Sequence, residues 1–315
     1  MCDAKRLANA RAPSPPLADA DPSAGRPLAA SLRQGRRGFV RTVAAAGTLA
    51  STGIWTSASA QVDVGNASSL RKLVPAGQLE EAAAQQYQQM LADAQRQKAL
   101  APANHPQLQQ LRAIAQKLIP FASPWNDRAK NWRWEVNLIA SKQINAFCMP
   151  GGKIAFYTGI LNQLKLSTDE AAMIMGHEMA HALREHARER LAKSQATSMG
   201  LSIGARLLGL GDFGDLAANL GTQLLALKFS REDETEADLV GLELAARAAY
   251  EPQASVTLWE KMTEASGGSG GPGLNFLSTH PSGPARINAL QANVPKVRSL
   301  YEQAKGQGSQ GSQGG

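Results

Sequence analysis

The chain has 315 residues, 43% of them hydrophobic and 19% charged, with a formal charge of +7. Such a length and composition fit one large globular domain or two small ones, with a substantial core. Of the 33 Lys and Arg residues, 8 lie in residues 1–60 beside only 3 of the 26 acidic ones, so the basicity belongs to the leading segment and nucleic-acid binding by the body is excluded as its main business.

Taken in chain order, the leading segment reads as an export signal. Arg36-Arg37-Gly38-Phe39-Val40-Arg41 precedes a weakly apolar run over 42–55, and Ala58-Ser59-Ala60 offers a small-residue cleavage site before Gln61. The paired arginines resemble a twin-arginine signal. The apolar run is too short and too rich in Ala, Thr, Ser and Gly for a membrane span, so a mature chain without one, located in the periplasm, is expected. Cleavage would leave Cys148 as the sole cysteine and allow no intramolecular disulfide. Residues 61–76 read as an extended arm, 78–100 and 106–118 as helices, and together 61–130 as a region packing on a catalytic domain over 131–295. Segments 134–139, 145–149 and 153–157, the last two joined by Pro150-Gly151-Gly152, predict a small, mainly antiparallel sheet. Ser167-Thr168-Asp169-Glu170 has the S-x-x-E form of a capping box and marks a helix start. Residues 195–228 suggest paired amphipathic helices, 231–249 and 252–265 two more, and 266–275 a Gly/Ser loop. A short helix over 284–293 and a disordered Gly/Gln/Ser tail within a 296–315 extension complete an α+β, mostly helical architecture.

From Ala171 to Leu183 the only ionisable residues are His177, Glu178 and His181. Three such groups in an apolar helix are costly unless they have partners. His177-Glu178-Met179-Ala180-His181 is H-E-x-x-H. Residues four apart share a helix face, so both imidazoles can bind one zinc ion while Glu178 reaches a water in the open coordination position. Chance alone yields this pentapeptide in about one protein in a hundred of this size, so a third ligand must decide. The positions a metzincin would use hold Arg184 and Ala187, and a close downstream acid would fall at Gly200. Glu234 and Asp238 share a face with Ala237, Gly241, Ala245 and Ala248. A small-residue face permits close helix approach, which would bring Glu234 to the metal and let Asp238 orient a ligand histidine. Glu232, Asp233 and Glu236 fit a solvated acidic helix start. His186 lies about 180° from His177 on a continuous helix, which predicts a solvent-facing or structural role for it. Asn145 and Ala146 are candidate substrate contacts on a strand beside the cleft.

H-E-x-x-H followed some fifty residues later by S-R-x-x-E-x-E-A-D-x-x-G resembles the HtpX/Oma-type gluzincins, peptidase family M48, with the soluble periplasmic BepA- and LoiP-like members the most similar branch. Asn145-Ala146-Phe147 with Pro150-Gly151-Gly152, and Thr279-His280-Pro281 with Arg286-Ile287, match further elements of that family. The resemblance implies a zincin-like fold, one zinc ion held by His177, His181 and Glu234, Glu178 as catalytic base and Asp238 behind a ligand. It implies proteolytic quality control of unfolded or misassembled envelope proteins, with outer-membrane assembly machinery as a partner. Cys148 and Ala249 depart from the family pattern, the second where a helix-ending glycine is usual. His280 either donates to the tetrahedral oxyanion or, as the resemblance suggests, closes the site as a fourth ligand. A chaperone with a latent zinc site, and a small-peptide peptidase, are the competing expectations.

Overall fold

The computed structural model describes residues 62–199, 224, 227–266, 275–281 and 283–311, all within a compact unit spanning Thr56–Gly315. The export signal over 1–60, the helices expected over most of 195–228 and the Gly/Ser loop fall outside the described residues. Helix α1 (Ala76–Arg96) buries Ala83, Tyr87, Leu91 and Ala94, spaced three to four apart, against the sheet, while Leu79 packs with Leu191 and Ala192. Helix α2 (Pro106–Leu118) starts on a proline, whose missing N–H costs nothing at a helix start.

Three strands follow: β1 (Glu135–Ile139), β2 (Ala146–Met149) and β3 (Lys153–Tyr157). Their order is β1-β3-β2, with β1 parallel and β2 antiparallel to β3, so the sheet is mixed rather than mainly antiparallel. The chain reverses twice, after β1 and in the β2–β3 turn, and β3 inserts beside β1; two reversals leave those neighbours parallel. The turn uses Gly151 and Gly152 at φ 83° and 76°. At Gly152 a Cβ would stand 2.7 Å from the Trp134 ring, so only glycine fits. Segment 99–101 covers the outer edge of β1 through Ala101 N–H to Leu138 O and Ala140 N–H to Ala99 O. β2 is the edge that borders the cleft.

After the short α3 (Thr158–Gln163), α4 (Thr168–Leu183) is the axis of the core. Its predicted capping box is complete: Glu170 N–H donates to Ser167 Oγ and Ser167 N–H to the Glu170 carboxylate. Every residue from Glu170 to Leu183 is buried. Helix α5 (His186–Met199) starts after a break, and α6 (Arg231–Arg247) starts with a second reciprocal cap, Ser230 with Asp233. The close approach of α4 and α6 rests on glycine, as the small-residue face predicts. A Cβ on Gly241 would lie 2.6 Å from His177 N, and one on Gly176 would lie 2.8 Å from Gly241 O.

Helix α6 ends in a Schellman arrangement, with Tyr250 N–H on Ala245 O and Ala249 N–H on Ala246 O. Ala249 takes φ 63° there, the left-handed conformation that favours glycine. Helices α7 (Ala254–Ser266) and α8 (Asn275–Thr279) lead to α9 (Pro284–Gly311). α9 runs well past the end near 293 that the sequence suggests. Leu290, Val294, Val297 and Tyr301 form one buried stripe across Pro295, and tertiary packing outweighs the lost proline hydrogen bond. The N-terminal arm is also tied down: Val62 N–H donates to Glu243 Oε2 at 3.0 Å, and Arg184 Nη2 donates to Gly65 O at 3.0 Å.

Candidate metal centre

Four side chains from three segments converge under the cleft: His177 and His181 of α4, Glu234 of α6, and His280 after α8. One nitrogen or oxygen from each lies within 4.8 Å of the others, and all four residues are buried. His177 Nε2 and His181 Nε2 stand 3.1 Å apart, each 3.5 Å from a Glu234 oxygen. Two imidazoles and a carboxylate crowded in this way form an N/O donor set of the kind that holds zinc. Among the described residues, two buried oxygens accept no hydrogen bond: Glu178 Oε1, with His280 Nε2 3.6 Å away, and Glu234 Oε2, which faces the Arg286 Nη1 cation at 2.7 Å. A buried acceptor such as Glu178 Oε1, unbonded beside this donor set, fits a cation or its bound water nearby.

The sequence-derived residues fall together. Asp238 Oδ1 lies 3.0 Å from His177 Nδ1, leaving Nε2 turned toward the cluster. Arg286 clamps Asp238 with Nε and Nη2, each at 2.7 Å, and rests 3.6 Å above the Trp259 ring. Burial pushes the Asp238 carboxyl up, but Arg286 and His177 outweigh it and hold it down at about 2. Glu234 is likewise lowered against its burial, by His280, His177 and Arg286. Glu178 is the reverse case: burial raises it, against the pull of His280 and His177. His181 is pushed well below its ordinary value by burial and by the surrounding histidines, which keeps the imidazole neutral. His280 Nδ1 is 3.0 Å from Glu234 Oε1, and its ring stacks on Phe276.

Asn145 and Ala146 line the same cleft as Glu178 and His280, along with Trp132 and Phe229. Cys148 is buried and its thiol is pushed well up by burial, which suits an inert residue. His186 sits differently from the expected geometry. The helix does not continue through it: Glu185 takes φ 61° and closes α4 with its N–H on Ala182 O. His186, only 2% exposed, turns back and places Nδ1 2.9 Å from His181 Nδ1. It is structural, not solvent-facing. Glu236, assigned from sequence to a solvated face, bonds His186 and Arg184. No glycine marks the break, so helical spacing alone could not find this contact.

A family model described as Peptidase family M48 matches residues 106–294, more than half of the chain. The chain belongs to peptidase family M48. Members of the family are zinc-dependent, and the donor set here fits one such ion. The mitochondrial metalloendopeptidase OMA1 of Schizosaccharomyces pombe is 35% identical over 202 residues, 64% of this chain and 57% of that protein. The OMA1 of Saccharomyces cerevisiae is 33% identical over 224 residues, 67% of this chain and 62% of that protein. The beta-barrel assembly-enhancing protease of Escherichia coli is 26% identical over 175 residues, 53% of this chain and 36% of that protein. The chain thus spans less than two thirds of each of these relatives. The M48 assignment from sequence stands, but the leaning toward a BepA-like branch has little support. The periplasmic location is overturned: the relatives with the higher identities are mitochondrial enzymes, and the bacterial one is more distant. No helix among the described residues is long and apolar enough to cross a membrane.

Proposed function

We propose that this M48 peptidase is a zinc endopeptidase acting on unfolded or misassembled polypeptides, with His177, His181 and Glu234 as ligands and Glu178 as base. The observation that carries this reading is the meeting of both H-E-x-x-H histidines with Glu234, beside a Glu178 oxygen that accepts no hydrogen bond from the described residues. Zinc held there supplies Lewis acidity toward a scissile carbonyl and an acidified water. The chain's own groups do the rest. Glu178 Oε1, which accepts no hydrogen bond from the described residues, is free to take a proton and return it to the leaving amine. Burial raises its basicity toward the working range. Asp238, locked by Arg286, holds the His177 ring.

Substrate selection follows from β2. Tyr157 N–H bonds Asn145 O, so the alternation of the ladder turns the backbone of Ala146 and Cys148 away from β3 and toward the cleft. An extended peptide added along that edge is gripped by main chain, with little demand on its side chains. This suits polypeptides that have lost their fold, in keeping with endopeptidase relatives, one of them named for enhancing beta-barrel assembly. A partnership with outer-membrane assembly machinery rests on the 26% relative alone.

His280 is read as a closing ligand rather than an oxyanion donor, because its Nδ1 lies 3.3 Å from His177 Nε2 and 3.0 Å from Glu234, in the place of a fourth donor. His280→Ala then gains basal activity; a loss of about 10²–10³-fold would assign it to the oxyanion instead. The deciding experiment for the whole reading is zinc content together with casein digestion, with and without a chelator. Stoichiometric zinc and chelator-sensitive cleavage are expected. A protein that binds zinc, in wild type and in His280→Ala, yet cleaves nothing would favour a chaperone with a latent site.

A further inference from the structure

The two ligand histidines are backed by different chemistry. A histidine that binds metal through Nε2 must carry its hydrogen on Nδ1, and a neighbouring acceptor selects that tautomer. His177 has the Asp238 carboxylate for this. His181 has His186, whose Nδ1 lies 2.9 Å away, and an imidazole nitrogen can donate as well as accept. If His186 Nδ1 were the donor, the hydrogen of a neutral His181 would sit on Nε2, facing the cluster, and no lone pair would reach a metal.

The next contact removes that ambiguity. His186 Nε2 lies 3.3 Å from Glu236 Oε2, and the same oxygen takes Arg184 Nε at 2.8 Å. A carboxylate only accepts, so His186 puts its hydrogen on Nε2, and its Nδ1 is left as an acceptor. His181 then donates from Nδ1 and presents Nε2 as a lone pair. We propose that His186 and Glu236 are positioning residues that fix the tautomer of His181 and so set the metal affinity of the site, with Arg184 holding Glu236 in place. The arrangement requires the break at Glu185, which brings His186 back onto the helix it follows. It is also joined to the N-terminal arm, since Arg184 Nη2 holds Gly65 O.

The inference rests on the zinc-site reading above, and the test separates the two. Zinc affinity of the full chain is measured by competition with a chromogenic chelator, and cobalt(II) absorption reports the ligand field independently of turnover. His186→Leu should weaken zinc binding about 10–100-fold and alter the cobalt spectrum. His186→Asn should recover most of the affinity, because its amide oxygen can take the place of Nδ1 as acceptor. Glu236→Ala, at a partly exposed side chain, should weaken binding severalfold, and it carries the test if His186→Leu does not fold. A wild-type chain that binds no zinc would refute the metal site itself. Normal wild-type binding with equally tight His186→Leu and Glu236→Ala, or an Asn variant no better than Leu, would overturn the positioning role.

Discussion

The His177 side of the centre is built from charge and the His181 side from hydrogen-bond direction. Behind His177 stand a carboxylate, a guanidinium and an indole face, contributed by α6, α9 and α7. Behind His181 stand a second imidazole, a partly exposed glutamate and an arginine at the end of the same helix. The first arrangement is tied into the global packing, so it cannot fail without the fold. The second is local, and can fail while the fold survives.

Breaking the charged side should therefore cost both metal and stability. Glu178, the base proposed above, gives the largest expected effect: Glu178→Gln should lower peptide cleavage by about 10²–10⁴-fold while zinc content persists, measured by turnover beside metal analysis. Near-normal turnover would remove Glu178 from the mechanism. Asp238→Ala leaves the buried Arg286 with less of its counter-charge and His177 without its acceptor. A loss of about 3 kcal/mol in unfolding free energy is expected, together with at least a tenfold loss of zinc affinity. If it behaves like Glu236→Ala, weakening metal but not the fold, the contrast between the two sides disappears.

Two substitutions on α6 sharpen the comparison. Gly241→Ala forces a Cβ toward the His177 backbone and should cost about 1–3 kcal/mol, seen in denaturant unfolding of the zinc-free chain. Ala249→Gly, just past the C-terminal end of the helix, relieves a left-handed alanine and should stabilise by about 1 kcal/mol with zinc affinity unchanged. The smallest effect lies at the start of α4. Burial raises the Glu170 carboxyl, but Lys261, the Ser167 backbone and Thr257 outweigh it, and the net shift is downward. A carboxyl lowered in the folded state adds stability above its unfolded value of about 4.3 and loses it as the pH falls further. Glu170→Gln should thus lower the melting temperature at pH 7 and make little difference near pH 3.

Much of this centre was legible because its chemistry is local or periodic. H-E-x-x-H, the Ser167 cap and the small face running from Glu234 through Gly241 are patterns within one helix, and each took its expected place. The support for His181 was not legible. It depends on a left-handed Glu185, a residue type that gives no warning of a break, and an unbroken helix would have sent His186 to the far side. The sheet misled for a related reason: each strand could be read, but the insertion of β3 beside β1 is a long-range choice. The C-terminal helix outran its expected end because four buried side chains across Pro295 override a local breaker.

The arm at Val62–Gly65 is gripped by its main chain: one N–H by Glu243, and the carbonyl of Gly65 by Arg184. A clasp on peptide groups reads few side chains, although Gly65 holds φ 65°, where other residues are strained, and Asp63 Oδ1 takes its N–H. Variation should be tolerated at the exposed Asn66 far better than at 184 or 243, whereas any side chain at 65 meets the left-handed backbone and proline at 62 has no hydrogen to give. The sign of an opened clasp would be a new cleavage site for an added protease near the arm, in a molecule whose core still melts as one.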